Sequence, residues 1–401
     1  MTAPAADRLR IVVTGYVVRF PLGGLAWHHL QYVLGLARLG HDVTFVEDSD
    51  DVPWSCYDPV RHVTDEDPTY GLAFTTRIMR QLGLDRWAYH DAHRGEWHGP
   101  SAHDVMRRCA EADVLLDLSL VNPLRPWTDG IPLGIAVDTD PVFNQIRHLD
   151  EPARRARAER LDVHFTFAEG VGSSAVLPED GFDWKPTRQP VVLDVWPVTP
   201  VVPDGRLTTV LQWDSYPALE HDGRHYGMKS ESFRPFFELP RHTCVPLELA
   251  LGGNVAPRAE LEAAGWRLQN PLVPTATPWT YRRYIRGSLG EFTVAKHGYV
   301  AAWTGWFSER SANYLACGRP VVCQDTGFSE VLPTGEGLFA FSTPDEALGA
   351  IDEVASDPAR HGRRAHELAS SYFDSQAVLT RLLEEAFASR RSGSETQTQL
   401  A

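Results

Sequence analysis

The sequence predicts an α/β protein built from two Rossmann-like domains with a cleft between them. Three observations carry this. At 401 residues the chain exceeds what one hydrophobic core ordinarily serves. Short apolar runs alternate with helical periodicities in both halves, the pattern of parallel sheets covered by helices. Between the halves, residues 186–205 carry Pro186, Pro190, Pro197, Pro200 and Pro203, and proline-stiffened segments of this kind join domains. We therefore expect a first domain over 1–195 and a second over 206–375. A terminal helix over 376–390 would pack back on the first domain, and 391–401 would form a disordered tail.

Composition narrows the function classes. Hydrophobic content of 43% with 23% charged residues is that of a soluble globular chain. The formal charge of −15 opposes a nucleic-acid surface and docking on anionic lipid. Cys56, Cys109, Cys244, Cys317 and Cys323 are scattered without metal-binding spacing, which suits a reducing cytoplasm. No apolar run reaches the roughly 20 residues of a membrane helix, and Ile11-Val12-Val13 is too short for a secretory core.

In the first half, residues 9–13 read as a buried strand running through Thr14-Gly15-Tyr16 into a loop with Pro21-Leu22-Gly23-Gly24. Leu30, Val33, Leu34 and Ala37 recur at helical spacing over 25–39, Gly40 ends that helix, and 42–48 form a second strand. Gly23 and Gly24 permit close backbone approach to a ligand, although no GxGxxG fingerprint is present. Residues 50–99 read as an insertion with a helix over 72–82, of the kind that shapes specificity beside a cleft. A helix over 102–111, strands over 114–118 and 133–137, a charged helix over 151–160 and a strand over 164–167 complete this half. The strand at 133–137 ends in Asp138-Thr139-Asp140, two carboxylates where α/β proteins place chemistry.

The second half restarts the pattern with strands over 207–213, 246–251 and 266–268. A polar loop leads to Lys229 and a helix over 230–237, and helices follow over 256–264 and 277–288. Lys296 closes the run 290–296. Thr343-Pro344-Asp345-Glu346 is a strong helix start, with helices to about Phe373 and over 376–389. The most informative stretch is 304–328. Ser308 is placed to cap a short helix, Gly318 to end it in the left-handed conformation, and Pro320 to prevent its continuation. Val321-Val322-Cys323 then form a buried strand leading to the polar loop Gln324-Asp325-Thr326-Gly327. A helix start beside a strand's carboxyl end suits a phosphate, and Arg310 and Ser311 lie in its first turn.

Two stretches carry a resemblance. Gly23-Gly24-Leu25-Ala26-Trp27-His28, followed by Gly40-His41-Asp42-Val43-Thr44, and Asn313-Tyr314-Leu315-Ala316-Cys317-Gly318-Arg319-Pro320-Val321-Val322 are similar to segments of the GT-B glycosyltransferases of group 1. With the two-domain layout, the chain resembles a divergent, family 4-like bacterial branch of that fold. The resemblance implies transfer of a sugar from a nucleotide-sugar co-substrate, UDP- or TDP-linked, to a hydroxyl of a small natural-product or saccharide acceptor. It implies no permanently bound cofactor and no metal. It places Lys229 on the donor phosphate. The family's paired glutamates would fall at Gly305 and Asn313, and neither is acidic.

The expected donor site comprises Gly23, Gly24, Lys229, Lys296, Phe307, Ser308, Arg310, Ser311, Asn313, Asp325, Thr326 and Gly327. Arg310 is expected on an exposed first turn, contacting the diphosphate, and Asp325 and Thr326 on the sugar hydroxyls. His28, Asp138 and Asp140 are the candidates for activating the acceptor; Asp138-Thr139-Asp140 matches a DxD metal motif only literally, since it falls in the acceptor domain. Two rival readings share the fold: a sugar-nucleotide 2-epimerase, and a non-catalytic sugar-nucleotide-binding partner of another transferase.

Overall fold

The computed structural model describes residues 8–200 and 205–400, with 392–400 as backbone only. Residues 1–7, from the start of the chain, and 201–204, within the expected linker, lie outside the described residues. Contacts divide the chain into two units: 1–139, 151–165 and 375–401 in the first, 140–150 and 166–374 in the second. Residues 166–195, expected in the first domain, thus group with the second. The terminal helix Ser375–Leu400 joins the first unit and carries its backbone through the segment expected as a disordered tail.

The first unit is organised around the strand Arg10–Thr14, which pairs in parallel with Asp42–Asp48 on one side and Val114–Leu118 on the other. The sheet extends outward through Leu133–Asp138 in one direction and Trp87–Asp91 in the other. Residues 50–99 are therefore more than an insertion on the surface: Trp87–Asp91 and the antiparallel Glu96–His98 lengthen the sheet. Thr14 Oγ1 donates to Asp117 Oδ1 at 2.7 Å across the two central strands. Burial lifts the Asp117 carboxyl to about 7.

The loop after the first strand is fixed from two sides. Glu47, buried in the neighbouring strand, accepts the backbone N–H groups of Val17, Val18 and Arg19 at 2.7, 2.8 and 2.7 Å. On the other side the helix Thr69–Leu82 comes so close that a Cβ on Gly71 would lie 1.9 Å from the Val18 carbonyl oxygen. This seats the helix Gly23–Arg38, whose face from Ala26 to Leu36 is buried.

The second unit has an all-parallel sheet. Its spatial order is Arg267–Gln269, Leu247–Gly252, Leu207–Gln212, Gly290–Thr293, Val321–Gln324, Leu338–Phe341. In chain order this is 3-2-1-4-5-6, the doubly wound arrangement, and its topological switch point lies between Leu207–Gln212 and Gly290–Thr293. Phe292 and Phe341 stack at 5.4 Å in a core with Phe236, Trp266 and Leu249. The helix Phe143–Asp150 and the hairpin of Leu219–His221 with Arg224–Tyr226 escaped the sequence reading.

Gly71→Ala should destabilise the first unit by about 1–3 kcal/mol, because the obstructing atom is backbone and cannot rotate away. Chemical denaturation of the variant checks this; an unchanged midpoint would mean the loop yields freely.

Candidate functional site

The switch point of the second unit is bridged by a guanidinium. Ser308 caps the helix Glu309–Ala316, its hydroxyl accepting from Arg310 N at 3.2 Å. This fixes the first turn, and Arg310 points inward instead of outward. It is 8% exposed, and Glu291 is fully buried. Arg310 Nε donates to Glu291 Oε1 at 2.5 Å, Nη1 to the Val210 carbonyl at 3.0 Å, and Nη2 to Thr293 Oγ1 at 2.9 Å. Val210 belongs to one central strand and Glu291 and Thr293 to the other. Burial opposes the Arg310 charge, but Glu291 outweighs it and holds the guanidinium above its ordinary pKa. The exposed phosphate ligand expected at this position is instead a structural tie.

Lys229 is different. It opens the helix Lys229–Phe233 and is half-buried, and among the described residues no carboxylate forms an ion pair with it. Burial lowers its pKa to about 7, and the positive charges of Arg310 and Lys296 push in the same direction. The carboxylates of Glu309 and Glu291 act in the opposite direction without outweighing them. Ser311, 1% exposed, lines the pocket at these strand ends, and its hydroxyl has no hydrogen-bond partner among the described residues.

Lys296, by contrast, already has a counter-charge. Its Nζ donates to Asp140 Oδ1 and to the Tyr216 hydroxyl, both at 2.7 Å. Asp140 also accepts from Tyr216 at 2.5 Å, from the Tyr299 hydroxyl, and from Arg147 at 3.5 Å. Burial would raise the Asp140 carboxyl, but Lys296 and the hydroxyls hold it below its ordinary value. Asp140, expected as a catalytic base, is therefore a saturated anion in a cage of Phe143, Tyr216 and Tyr299 rings around Lys296.

The loop residues serve the loop first. Asp325 Oδ1 accepts from Gly327 N at 2.9 Å and Oδ2 from the Ser329 hydroxyl at 2.5 Å. The Thr326 hydroxyl donates to the Trp306 carbonyl at 2.6 Å. Gly327 has φ 97°, which favours glycine. Asp325 and Thr326, expected on the sugar hydroxyls, hold these hydrogen bonds within the loop. Phe307 is a core residue, packed on Phe328 and Phe373 at 5.3 and 5.4 Å. Asn313 is fully buried in its helix.

In the first unit, Gly23 and Gly24 start the helix that carries His28. His28 Nε2 lies 3.2 Å from Ser119 Oγ, which lies 2.8 Å from Thr139 Oγ1, next to the fully buried Asp138. Ser119 and Leu120 both have positive φ, 64° and 54°, so the backbone is strained where this chain of hydroxyls is aimed. Burial drops the His28 imidazole to about 4, so it is neutral at physiological pH. The structure thus groups His28 with Asp138 in the first unit and assigns Asp140 to the second. Sequence reasoning missed Glu291, Tyr216 and Tyr299. An acid inside an apolar strand was the available signal for Glu291.

No family model matches the chain, and no curated protein matches it. Solved structures do. An α-glucosyltransferase in complex with UDP and a 13-mer DNA superposes with a TM-score of 0.59 at 12% identity, over 95% of this chain and 100% of that one. Anabaena Alr3699/HepE in complex with UDP-glucose gives 0.57 at 13% identity, over 94% and 99%. AviGT4, a glycosyltransferase involved in avilamycin A biosynthesis, gives 0.51 at 12% identity, over 94% and 97%. At these identities the likeness defines the architecture: the chain has the GT-B fold. Among the described residues, no helix is long and apolar enough to cross a membrane.

Arg310→Ala should cost about 3–5 kcal/mol, since it strands Glu291 as a buried charge, and Arg310→Ala with Glu291→Gln should recover part of that loss. Equilibrium unfolding of both variants tests this; a fully stable single variant would refute the tie.

Proposed function

We propose that the chain is a nucleotide-sugar-dependent glycosyltransferase, UDP- or TDP-linked at the donor, acting on a hydroxyl of a small natural-product or saccharide acceptor. The carrying observation is Lys229: half-buried near the switch point of a doubly wound sheet, pushed down to about 7, and in no ion pair among the described residues. A donor diphosphate supplies the missing charge. Lys229 then neutralises the leaving diphosphate as the glycosidic bond breaks, with the Ser308–Ser311 turn adding N–H and hydroxyl donors. Arg310 positions that turn. Lys296 contributes positive potential behind it, moderated by Asp140.

The structural neighbours support the donor class, because UDP or UDP-glucose is bound in several of them. One is bound to DNA. The formal charge of −15 on this chain opposes a polyanionic acceptor, and the avilamycin-pathway neighbour favours a small molecule. His28 acts as a neutral hydrogen-bonding group for the acceptor through the Ser119–Thr139 hydroxyls, since an imidazole titrating near 4 accepts protons poorly at neutral pH.

Lys229→Met should weaken UDP-glucose binding by about tenfold or more, a loss near 1.4 kcal/mol, while raising the melting temperature. The sign follows from the pKa. The folded value lies below the unfolded one of 10.5, so at neutral pH the charged lysine opposes folding and its removal relieves that. In the wild type, UDP-glucose affinity should fall as pH rises above about 7, with proton uptake on binding. Calorimetry in buffers of different ionisation enthalpy reads both; pH-independent binding without proton uptake would exclude Lys229.

His28→Ala should lower kcat with little change in donor KM, by the same factor from about pH 6 to 8. A loss confined to one limb of the pH profile would restore the base assignment.

A further inference from the structure

The hairpin of Leu219–His221 and Arg224–Tyr226 feeds the helix Lys229–Phe233, and the helix His297–Ala301 starts beside it. These elements gather His225, Glu231 and His297, each with one ligand atom within 4.8 Å of the others. His225 pairs across the hairpin with Glu220, whose carboxylate takes Nδ1 of its ring. A carboxylate there favours a proton on Nδ1 and leaves Nε2 to be shared with whatever cation, proton or metal, sits on its other side. Nε2 faces the two oxygens of Glu231 at 3.0 and 2.9 Å.

At that distance Nε2 and the carboxylate share either a proton or a metal ion. A proton would serve His225 and Glu231 alone. A third ligand atom converging on the same place suits a metal ion. The carboxylate–histidine pair Glu220–His225 is also the arrangement that orients a metal-binding imidazole. The backbone makes room for it: a Cβ on Gly227 would lie 2.0 Å from Glu231 Oε1. His297 Nδ1 accepts from Gly227 N at 3.2 Å, a long bond that ligation would displace. The His225 and Glu231 side chains are 44% and 39% exposed, so an ion has access.

We propose that His225, Glu231 and His297 bind a zinc-class divalent cation, with Glu220 orienting His225. Two imidazoles and one carboxylate suit zinc, with water in the remaining position. The ion would bolt the hairpin to the starts of the two helices that adjoin Lys229 and Lys296. It takes no part in the sugar transfer proposed above and stands or falls separately from it.

The test uses the full chain, stripped with EDTA and titrated with Zn2+ or Co2+. We expect one saturable equivalent of Zn2+, a melting temperature raised by about 3 °C or more at excess metal, and visible absorption bands from bound Co2+. His225→Gln and His297→Gln should each weaken Zn2+ binding at least tenfold, and Glu220→Gln by roughly 10-fold. Circular dichroism without metal verifies that each variant is folded; if His297→Gln is not, Glu231→Gln takes its place. Absence of saturable binding, or binding undiminished in His225→Gln/His297→Gln, would overturn the site.

Discussion

The buried pair of Arg310 and Glu291 is the constraint on which the second unit's chemistry depends. One guanidinium reaches both central strands from the first turn of the helix Glu309–Ala316. Ion pairs so deeply buried gain little net stability, because desolvation consumes most of the Coulombic attraction. Their effect is geometric. Here the pair fixes where the helix begins relative to the strand ends, and therefore where its N–H groups point. It also places a permanent positive charge close to Lys229, which is one reason that lysine holds its proton so weakly. The tie and the weakened hold of Lys229 on its proton are two consequences of one placement.

What was legible in the sequence was local. The Ser308 cap, the left-handed Gly318 at φ 68°, the strand after Pro320 and the reciprocal capping box of Thr343 and Glu346 depend on residues a few positions apart. The alternation of strand and helix was equally plain. The inward turn of Arg310 was not, because its partner lies 19 residues away in a strand of the sheet. Nor was the Asp140 cage, whose members Tyr216 and Lys296 are 76 and 156 positions distant. A strand-end carboxylate looks the same in sequence whether it is poised for catalysis or saturated with donors. The hairpin at 219–226 lacked apolar alternation, since Glu220, His221, Arg224 and His225 are all polar.

Of the two positions at which the sequence resemblance leads one to expect an acid, one has a backbone reason to lack it. Gly305 has φ 74°, and its N–H donates to the Thr326 carbonyl at 2.7 Å. A Cβ there would lie 2.6 Å from the Gly170 nitrogen. Gly170 N in turn donates to the Thr304 carbonyl at 3.0 Å. A glutamate at 305 would meet both an unfavourable conformation and a backbone clash. The glycine is thus part of how this loop is folded, and a single substitution would not restore an acid. At 313 no such exclusion operates, but Asn313 is fully enclosed, so a carboxylate there would need a buried cation for company. Arg310, the nearest guanidinium in sequence on that helix, is already taken by Glu291. Placing the counter-charge in the strand at Glu291 and leaving 313 neutral keeps the helix free of a buried acid that no second cation answers.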